Sequence, residues 1–246
     1  MDILHRFPCV VMECCDTVAM VSRVLFVEDD SKIRQVISAS LTDEGFDVVE
    51  APTGEYATSE VDLESLDLAI IDLRLPGING IDVVRNLRQR TTIPLVILTA
   101  HGDSSDVVTG LEAGADDFLN KPIAAKELVA RLRAILRRTT DGATPDPAVA
   151  TSVGSVRIDS SRYEATVADA RLHLTRTEFG VLRALVHASP ATLSRQALLE
   201  AVWGYDYLGD SRLVDMQIYR LRQKLESHGL KEKLLTVRGV GFRLIP

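Results

Sequence analysis

Five residues in the first half of the chain have side chains suited to one reaction. Glu28 and Asp29 follow the apolar run Val24-Leu25-Phe26-Val27, and Asp72 follows Leu68-Ala69-Ile70-Ile71. Thr99 follows Leu95-Val96-Ile97-Leu98, and Lys121 follows Asp117-Phe118-Leu119-Asn120. Clustered carboxylates repel one another, and a hard divalent cation is the usual remedy; Mg2+ suits a small set of oxygens completed by waters. Such an ion neutralises phosphoryl oxygens during in-line transfer. A carboxylate beside it can act as the nucleophile and take up the phosphoryl group as an acyl phosphate. Thr99 would hydrogen-bond an arriving phosphoryl oxygen, and Lys121 would pair with a carboxylate or with that group. Each residue alone has a plainer use. Asp72 could accept hydrogen bonds from the loop that follows, Thr99 could bond its own backbone, and Lys121 could be solvated. Their convergence at strand ends points to phosphoryl chemistry.

The elements that must position them can be read from the pattern. Short apolar runs without alternation are strands buried on both faces. Pro76-Gly77 stops the strand that carries Asp72. The stretch 31–43 places Ile33, Val36, Ile37 and Leu41 at helical spacing; Asp30 or Ser31 can cap it and Gly45 ends it. A short strand over 47–50 and a weaker helix over 53–64 follow. Further helices are predicted over 80–90 (Val83, Val84, Leu87), 105–113, and 125–137 (Leu128, Leu132, Ile135, Leu136). Strands alternating with helices in units this short require a parallel sheet with right-handed crossovers. The carboxyl ends of those strands then collect at one edge, where open α/β sheets carry their chemistry.

The length of 246 residues suits two modest domains, and a hydrophobic share of 46% gives each a core. The net charge of −7 is unevenly divided: 153–246 holds 14 Lys+Arg against 10 Asp+Glu, and 1–152 holds 14 against 25. An acidic half joined to a basic half suggests a metal or phosphate site on one side and a polyanion on the other. No apolar run is long enough to span a membrane. The first 20 residues place Asp2, Glu13 and Asp16 among their apolar residues, which argues against a secretory signal. A cytoplasmic protein that does not enter the membrane is expected.

Cys9, Cys14 and Cys15, the three cysteines, lie in the first 22 residues. Neither domain therefore needs a disulfide, which fits a reducing compartment. With His5 they match no standard zinc spacing. Residues 1–22 read as a disordered tail, and Met20 just ahead of the first strand would serve as a natural start. Residues 139–152, rich in Pro, Gly and Thr, read as a flexible linker.

Beyond it, Val156–Ile158, Ala165–Val167 and Arg171–Leu174 look like short strands. Thr175-x-x-Glu178 is a capping box ahead of a helix with Phe179, Leu182, Leu185 and Val186. Ser194 caps a second helix bearing Leu198, Leu199, Val202 and Trp203. A third helix over about 211–226 buries Leu213, Val214, Ile218, Leu221 and Leu225. Its remaining positions hold Arg212, Gln217, Tyr219, Arg220, Arg222 and Lys224. Residues 236–245 form a glycine-containing hairpin. That helix could be an ordinary solvated face, but a basic helix followed by a hairpin bearing Arg238 fits DNA: the helix enters the major groove and the hairpin reaches adjacent backbone.

Residues 23–138 resemble a response-regulator receiver domain, an α/β, flavodoxin-like fold with a doubly wound parallel sheet of strand order 2-1-3-4-5. The matching residues are Glu28-Asp29, Asp72 with Pro76-Gly77, Thr99-Ala100, Gly114-Ala115-Asp116-Asp117-Phe118 and Lys121-Pro122. Residues 153–246 resemble the α+β winged-helix effector domain of the OmpR/PhoB family. That match rests on Leu174–Phe179, Val202-Trp203-Gly204, Arg212–Asp215, Leu221-Arg222 and Val237–Phe242.

The resemblance implies roles. Asp72 would be the phosphoacceptor, charged by a sensor histidine kinase. Mg2+ would be held by Asp29, Asp72 and the backbone carbonyl of Arg74, with Glu28 acting through water. Thr99 and Phe118 would be the switch pair, Phe118 standing where many relatives have Tyr, and Lys121 would be the phosphate partner. Arg212, Gln217, Tyr219, Arg220 and Arg222 would face double-stranded DNA from the recognition helix, and Thr236 and Arg238 from the wing. Tyr219 replaces an Arg common in relatives. The loop Gly204–Asp210, with Tyr205 and Tyr207, resembles the segment that touches RNA polymerase. Phosphorylated copies would form a homodimer through Val107, Leu111, Asp116, Asp117, Glu127 and Arg131, with Val107 at a partner-facing position where relatives offer Lys or Arg.

The rival is a Mg2+-dependent phosphohydrolase working through the same aspartyl phosphate. Such enzymes usually carry a second Asp two residues after the nucleophile as general acid, and here that position is Arg74. A transcription regulator is therefore expected rather than an enzyme.

Overall fold

A computed structural model describes residues 21–100, 104–140, 151–204 and 211–246. Parallel strands β1 (Arg23–Val27), β2 (Asp47–Ala51), β3 (Leu68–Asp72), β4 (Leu95–Thr99) and β5 (Asp117–Asn120) form one sheet in the order β2-β1-β3-β4-β5. β3 and β4 are buried at every residue, as unalternating apolar runs require. Successive side chains point to opposite faces, so each strand feeds two cores. Val24, Phe26, Leu68, Ile70, Val96 and Leu98 meet helices α1 (Ser31–Asp43) and α5 (Ala125–Thr140) through Leu41, Leu128 and Leu132. Leu25, Val27, Ala69, Ile71, Leu95 and Ile97 belong to the other core, with α2 (Gly54–Ser59), α3 (Gly80–Arg90) and α4 (Ser104–Ala113).

Local signals place the helix starts. The Asp30 carboxylate accepts from Lys32 N and Ile33 N at the start of α1, and Asn79 caps α3 by accepting from Asp82 N. The helix expected over 53–64 is shorter: α2 ends at Ser59, and only a 3₁₀ turn over Leu63–Ser65 follows. Asp62 caps that turn through Glu64 N, which offers the chain a local alternative to a longer helix.

The second half begins with an antiparallel sheet of β6 (Thr151–Val153), β7 (Val156–Asp159), β8 (Glu164–Val167) and β9 (Ala170–Arg171). Thr151 and Ser152, expected in the linker, are already strand, and the strand expected over 171–174 stops at Arg171. Residues 141–150 and the tail through Met20 lie outside the described residues. The helices α6 (Arg176–Ala188), α7 (Arg195–Trp203) and α8 (Arg212–Glu226) follow, with the short strand β10 (Leu193–Ser194) between the first two. Both halves of the predicted capping box are made: Thr175 N donates to Glu178 Oε2 (2.7 Å), and Glu178 N donates to Thr175 Oγ1 (3.3 Å). The hairpin β11 (Leu234–Val237) and β12 (Gly241–Leu244) joins β10 in a sheet of order β10-β12-β11. A Cβ on Gly241 would stand 1.9 Å from the Leu193 carbonyl oxygen, so only glycine lets β10 approach there.

The two halves pack together. α4 lies against α8, and α5 lies against α6 and α7. Among the described residues no helix is long and apolar enough to cross a membrane.

Candidate functional site

The ends of β1, β3, β4 and β5 bring the five predicted residues to one edge of the parallel sheet. Asp72 is the last residue of β3, and its Oδ1 accepts from Arg74 N at 3.0 Å. Lys121 follows β5 and spans the carboxylates, its Nζ lying 2.6 Å from Asp72 Oδ2 and 2.5 Å from Glu28 Oε2. Thr99 ends β4; it is buried, and its carbonyl accepts from Lys121 N at 2.6 Å. Asp29 is exposed, at the mouth of the site. The Lys121-Pro122 peptide is cis.

Electrostatics follow from this packing. Burial pushes the Glu28 carboxyl above the ordinary range, and its bonds to Lys121 only partly offset that. Burial alone would lower the Lys121 ammonium, but the hydrogen bonds and charges of Asp72 and Glu28 outweigh it and hold Lys121 above its usual value. One cation thus faces two buried carboxylates, and Asp29 adds a third. Glu28, Asp29 and Asp72 each offer an oxygen, and these lie within 4.8 Å of one another. An all-oxygen set that close, with net negative charge, fits a hard divalent cation.

Several further residues position these side chains, and apart from Gly77 they carry no sequence signal of their own. A Cβ on Gly80 would stand 2.0 Å from the Asp72 carbonyl oxygen, so glycine lets α3 begin directly behind Asp72. Gly80 N donates to Leu73 O at 3.0 Å. Gly77 has φ +76°, and the Glu55 carboxylate closes the turn beside it by accepting from Ile78 N at 2.9 Å. Arg34 Nη1 donates to the carbonyls of Glu28 (2.7 Å) and Asp29 (3.2 Å), which fixes the acidic pair. Arg34 sits on a helix with no motif around it, so only the fold reveals its partners.

The expected dimer residues fare unevenly. Val107 and Leu111 share the face of α4 that carries Gly110, whose Cβ would meet Ile97 at 2.3 Å. Both are 1% exposed and sit in the core, so the expectation that Val107 faces a partner copy is corrected. Its error is one of helix phase: the apolar stripe of α4 points at the sheet. Asp116 and Asp117 are also buried. Asp116 Oδ2 accepts from Arg88 Nη2 (2.6 Å) and Leu95 N (3.0 Å), a structural use within the receiver. Phe118 is half-buried against the core. Glu127 is exposed, and Arg131 Nη2 lies 3.3 Å from its Oε1.

The candidate DNA surface is partly occupied from within. Tyr219 is 56% exposed on α8, and Arg238 is exposed in the wing turn at Gly239, φ +74°. Thr236 is exposed too, but Arg222 Nη2 donates to its Oγ1 at 2.7 Å and to Leu234 O at 2.8 Å, tying α8 to the wing. Arg212 is half-buried at the start of α8. Gln217, expected on the DNA face, is fully buried, and neither its Oε1 nor its Nε2 has a hydrogen-bond partner among the described residues. Arg220 points into the receiver, both terminal nitrogens donating to Ala115 O at 3.2 Å. Helical position does not report this, because the covering surface comes from another domain. Tyr205 and Tyr207, expected at RNA polymerase, lie outside the described residues.

Comparison with known proteins agrees with both halves. Residues 24–133 match the family model described as response regulator receiver domain, and residues 169–244 match transcriptional regulatory protein, C terminal. The chain is 43% identical over 228 residues to the DNA-binding response regulator MtrA of Mycolicibacterium smegmatis, covering 92% of this chain and 98% of that one. It is 44% identical over 224 residues to the transcriptional regulatory protein AfsQ1 of Streptomyces coelicolor, covering 91% and 98%. A solved structure of a RitR mutant superposes with a TM-score of 0.73 at 28% identity, covering 91% of this chain and 98% of that one. A receiver with an acidic strand-end cluster, joined to a winged helix and matched along nearly its whole length, makes this chain a member of the OmpR/PhoB family of response regulators, the DNA-binding transcription factors of two-component systems.

Proposed function

We propose that Asp72 accepts a phosphoryl group from a sensor histidine kinase and that this event controls how the winged helix engages double-stranded DNA, in the cytoplasm. The observation that carries the reading is the pairing of Asp72 and Glu28 with one half-buried ammonium, Lys121, at 2.6 and 2.5 Å. Such an arrangement gives the nucleophilic carboxylate a counter-charge and leaves a cation facing the incoming group. Asp29, Asp72 and the backbone carbonyl of Arg74 would hold Mg2+, with Glu28 acting through water; the ion would supply neutralising charge to phosphoryl oxygens.

The chain's own groups do the rest. Asp72 attacks the phosphorus with the oxygen turned away from the Arg74 amide, and the O–P bond forms as the P–N bond to the kinase's histidine breaks and its imidazole leaves. Lys121 shifts from a carboxylate pair to a carboxylate–phosphoryl pair. The Thr99 hydroxyl turns to the new oxygens, and Phe118 on the neighbouring strand follows. A second copy would pair through the surface bearing Glu127 and Arg131, and RNA polymerase would be the partner at the promoter. Replacing Asp72 with Asn tests the assignment, because the amide is neither nucleophile nor good metal ligand. Incubation with radiolabelled acetyl phosphate and Mg2+ should label the wild-type chain and leave Asp72→Asn unlabelled; equal labelling of both would remove Asp72 from the role.

A further inference from the structure

Lys121 meets the acidic cluster at its carboxylates, and Arg34 meets it at the backbone. The segment Glu28–Asp30 is fixed at both ends: Glu28 N donates to Ala51 O (3.1 Å), and the Asp30 carboxylate accepts from Lys32 N and Ile33 N. Asp29 stands exposed between those ends, and its carbonyl's bond to Arg34 is the one hydrogen bond it makes among the described residues. Arg34 Nη1 carries two N–H groups, enough for both Glu28 O (2.7 Å) and Asp29 O (3.2 Å). Its Nε pairs with Glu50 Oε2 on β2 at 3.2 Å. The Glu50 side chain is 43% exposed, so this pair adds little stability, but it aims the guanidinium. A planar, rigid fork suits that task better than a flexible ammonium.

We propose that Arg34 is a positioning residue that makes the cluster of Glu28, Asp29 and Asp72 selective for Mg2+ over larger divalent cations. The proposal rests on the cation-site reading of that cluster. Mg2+ demands near-ideal octahedral geometry with few protein oxygens and several waters, whereas Ca2+ takes roughly six to eight oxygens, backbone carbonyls among them, in a flexible arrangement. A carbonyl bonded to Arg34 cannot turn to an ion. Both peptide oxygens of the acidic pair are thereby withheld, and only its carboxylates are offered, in fixed places. Release of Arg34 would free two more oxygens and loosen Asp29, a change that suits Ca2+ and not Mg2+. A guanidinium acting by charge alone would do the opposite: it would repel either ion, and its removal would tighten the binding of both.

Amide resonances of the isotope-labelled full chain, followed in titrations with Mg2+ alone and with Ca2+ alone, test this. Arg34→Met removes the donors and keeps much of the stem. Its Mg2+ affinity should fall by about 10–100-fold, the usual loss when a partner behind the ligands is removed. Its Ca2+ affinity should fall by less, so the preference for Mg2+ shrinks. Arg34→Lys keeps the charge but cannot span both carbonyls and Glu50. It should shift the preference in the same direction by a smaller step, and it carries the test if Arg34→Met fails to fold. Equal weakening of both ions would leave Arg34 a merely structural part and overturn the proposal. Tighter binding of both, the mark of a repelling charge, would overturn it as well, and so would unchanged constants. A wild-type chain that binds neither ion would remove the cation-site reading itself, and the proposal with it.

Discussion

Replacing Lys121 with Met should destabilise the metal-free receiver more than any other single change at the site. The side chain is 16% exposed and its ammonium is the partner of two carboxylates that are 2% and 8% exposed. Met fills a similar volume, so the loss is one of charge. Removing one member of a buried ion pair costs about 3–5 kcal/mol, because the partner charge is left uncompensated. Here two like charges are left facing each other. At a few degrees per kcal/mol, the receiver transition should fall by roughly 10 °C or more. Thermal unfolding in a chelator, followed by circular dichroism, measures the drop. Adding Mg2+ should then raise the midpoint of Lys121→Met by more than that of the wild type, since the ion restores positive charge to the same carboxylates. An unchanged midpoint in chelator would refute the picture of Lys121 as their counter-charge. A drop that Mg2+ does not preferentially recover would refute the picture of a shared cation site.

Gly80→Ala would set a Cβ 2.0 Å from the Asp72 carbonyl, so α3 must retreat by about 1 Å; overpacking of this kind costs about 1–3 kcal/mol, and misplacing a nucleophile by that much slows transfer by up to roughly 100-fold. Labelling by acetyl phosphate should therefore fall while the chain stays folded, and undiminished labelling would show that α3 does not set the position of Asp72. Arg238→Ala should reduce the salt slope of duplex binding by about one unit if the wing touches phosphate; an unchanged slope, read by fluorescence anisotropy across salt concentrations, would take Arg238 off the interface. Asp159 accepts from Ser161 Oγ at 2.6 Å and from the backbone amides of Ser161 and Arg162, and these bonds hold its carboxyl below the ordinary range. A depressed folded value means stability present above the ordinary carboxylate range and lost as pH falls through the folded value. Asp159→Asn should therefore lower the effector's melting midpoint at neutral pH and converge with the wild type in strong acid; a gap independent of pH would contradict the assignment.

Much of the receiver was legible because its signals are local. Apolar runs that end in chemistry-bearing residues can be placed without any tertiary information. Glu28, Asp72, Thr99 and Lys121 meet as their positions at strand ends require. Residues whose importance arises from another segment's approach were not legible. Gly80 looks like an ordinary helix start until the Asp72 carbonyl is placed behind it, and Arg34 looks like a surface cation until it reaches the Glu28 and Asp29 carbonyls. Val107 went wrong through helix phase: the stripe of Val107, Gly110 and Leu111 faces Ile97 and not a second copy. Arg220 lies on the expected helix but reaches Ala115, a contact made far along the chain, and Gln217 on the same helix is buried. The missed strands β6 and β10, three and two residues long, are too short for a period to show.

Phosphorylation-dependent DNA binding by the full chain is the most direct test. Fluorescence anisotropy on a duplex from the protein's own upstream region should be compared with and without acetyl phosphate and Mg2+, in the wild type and in Asp72→Asn. Phosphoryl donor should tighten binding by the wild type and leave Asp72→Asn unchanged. Equal tightening of both, or none in the wild type once it is labelled, would contradict control of the winged helix by a phosphoryl group on Asp72.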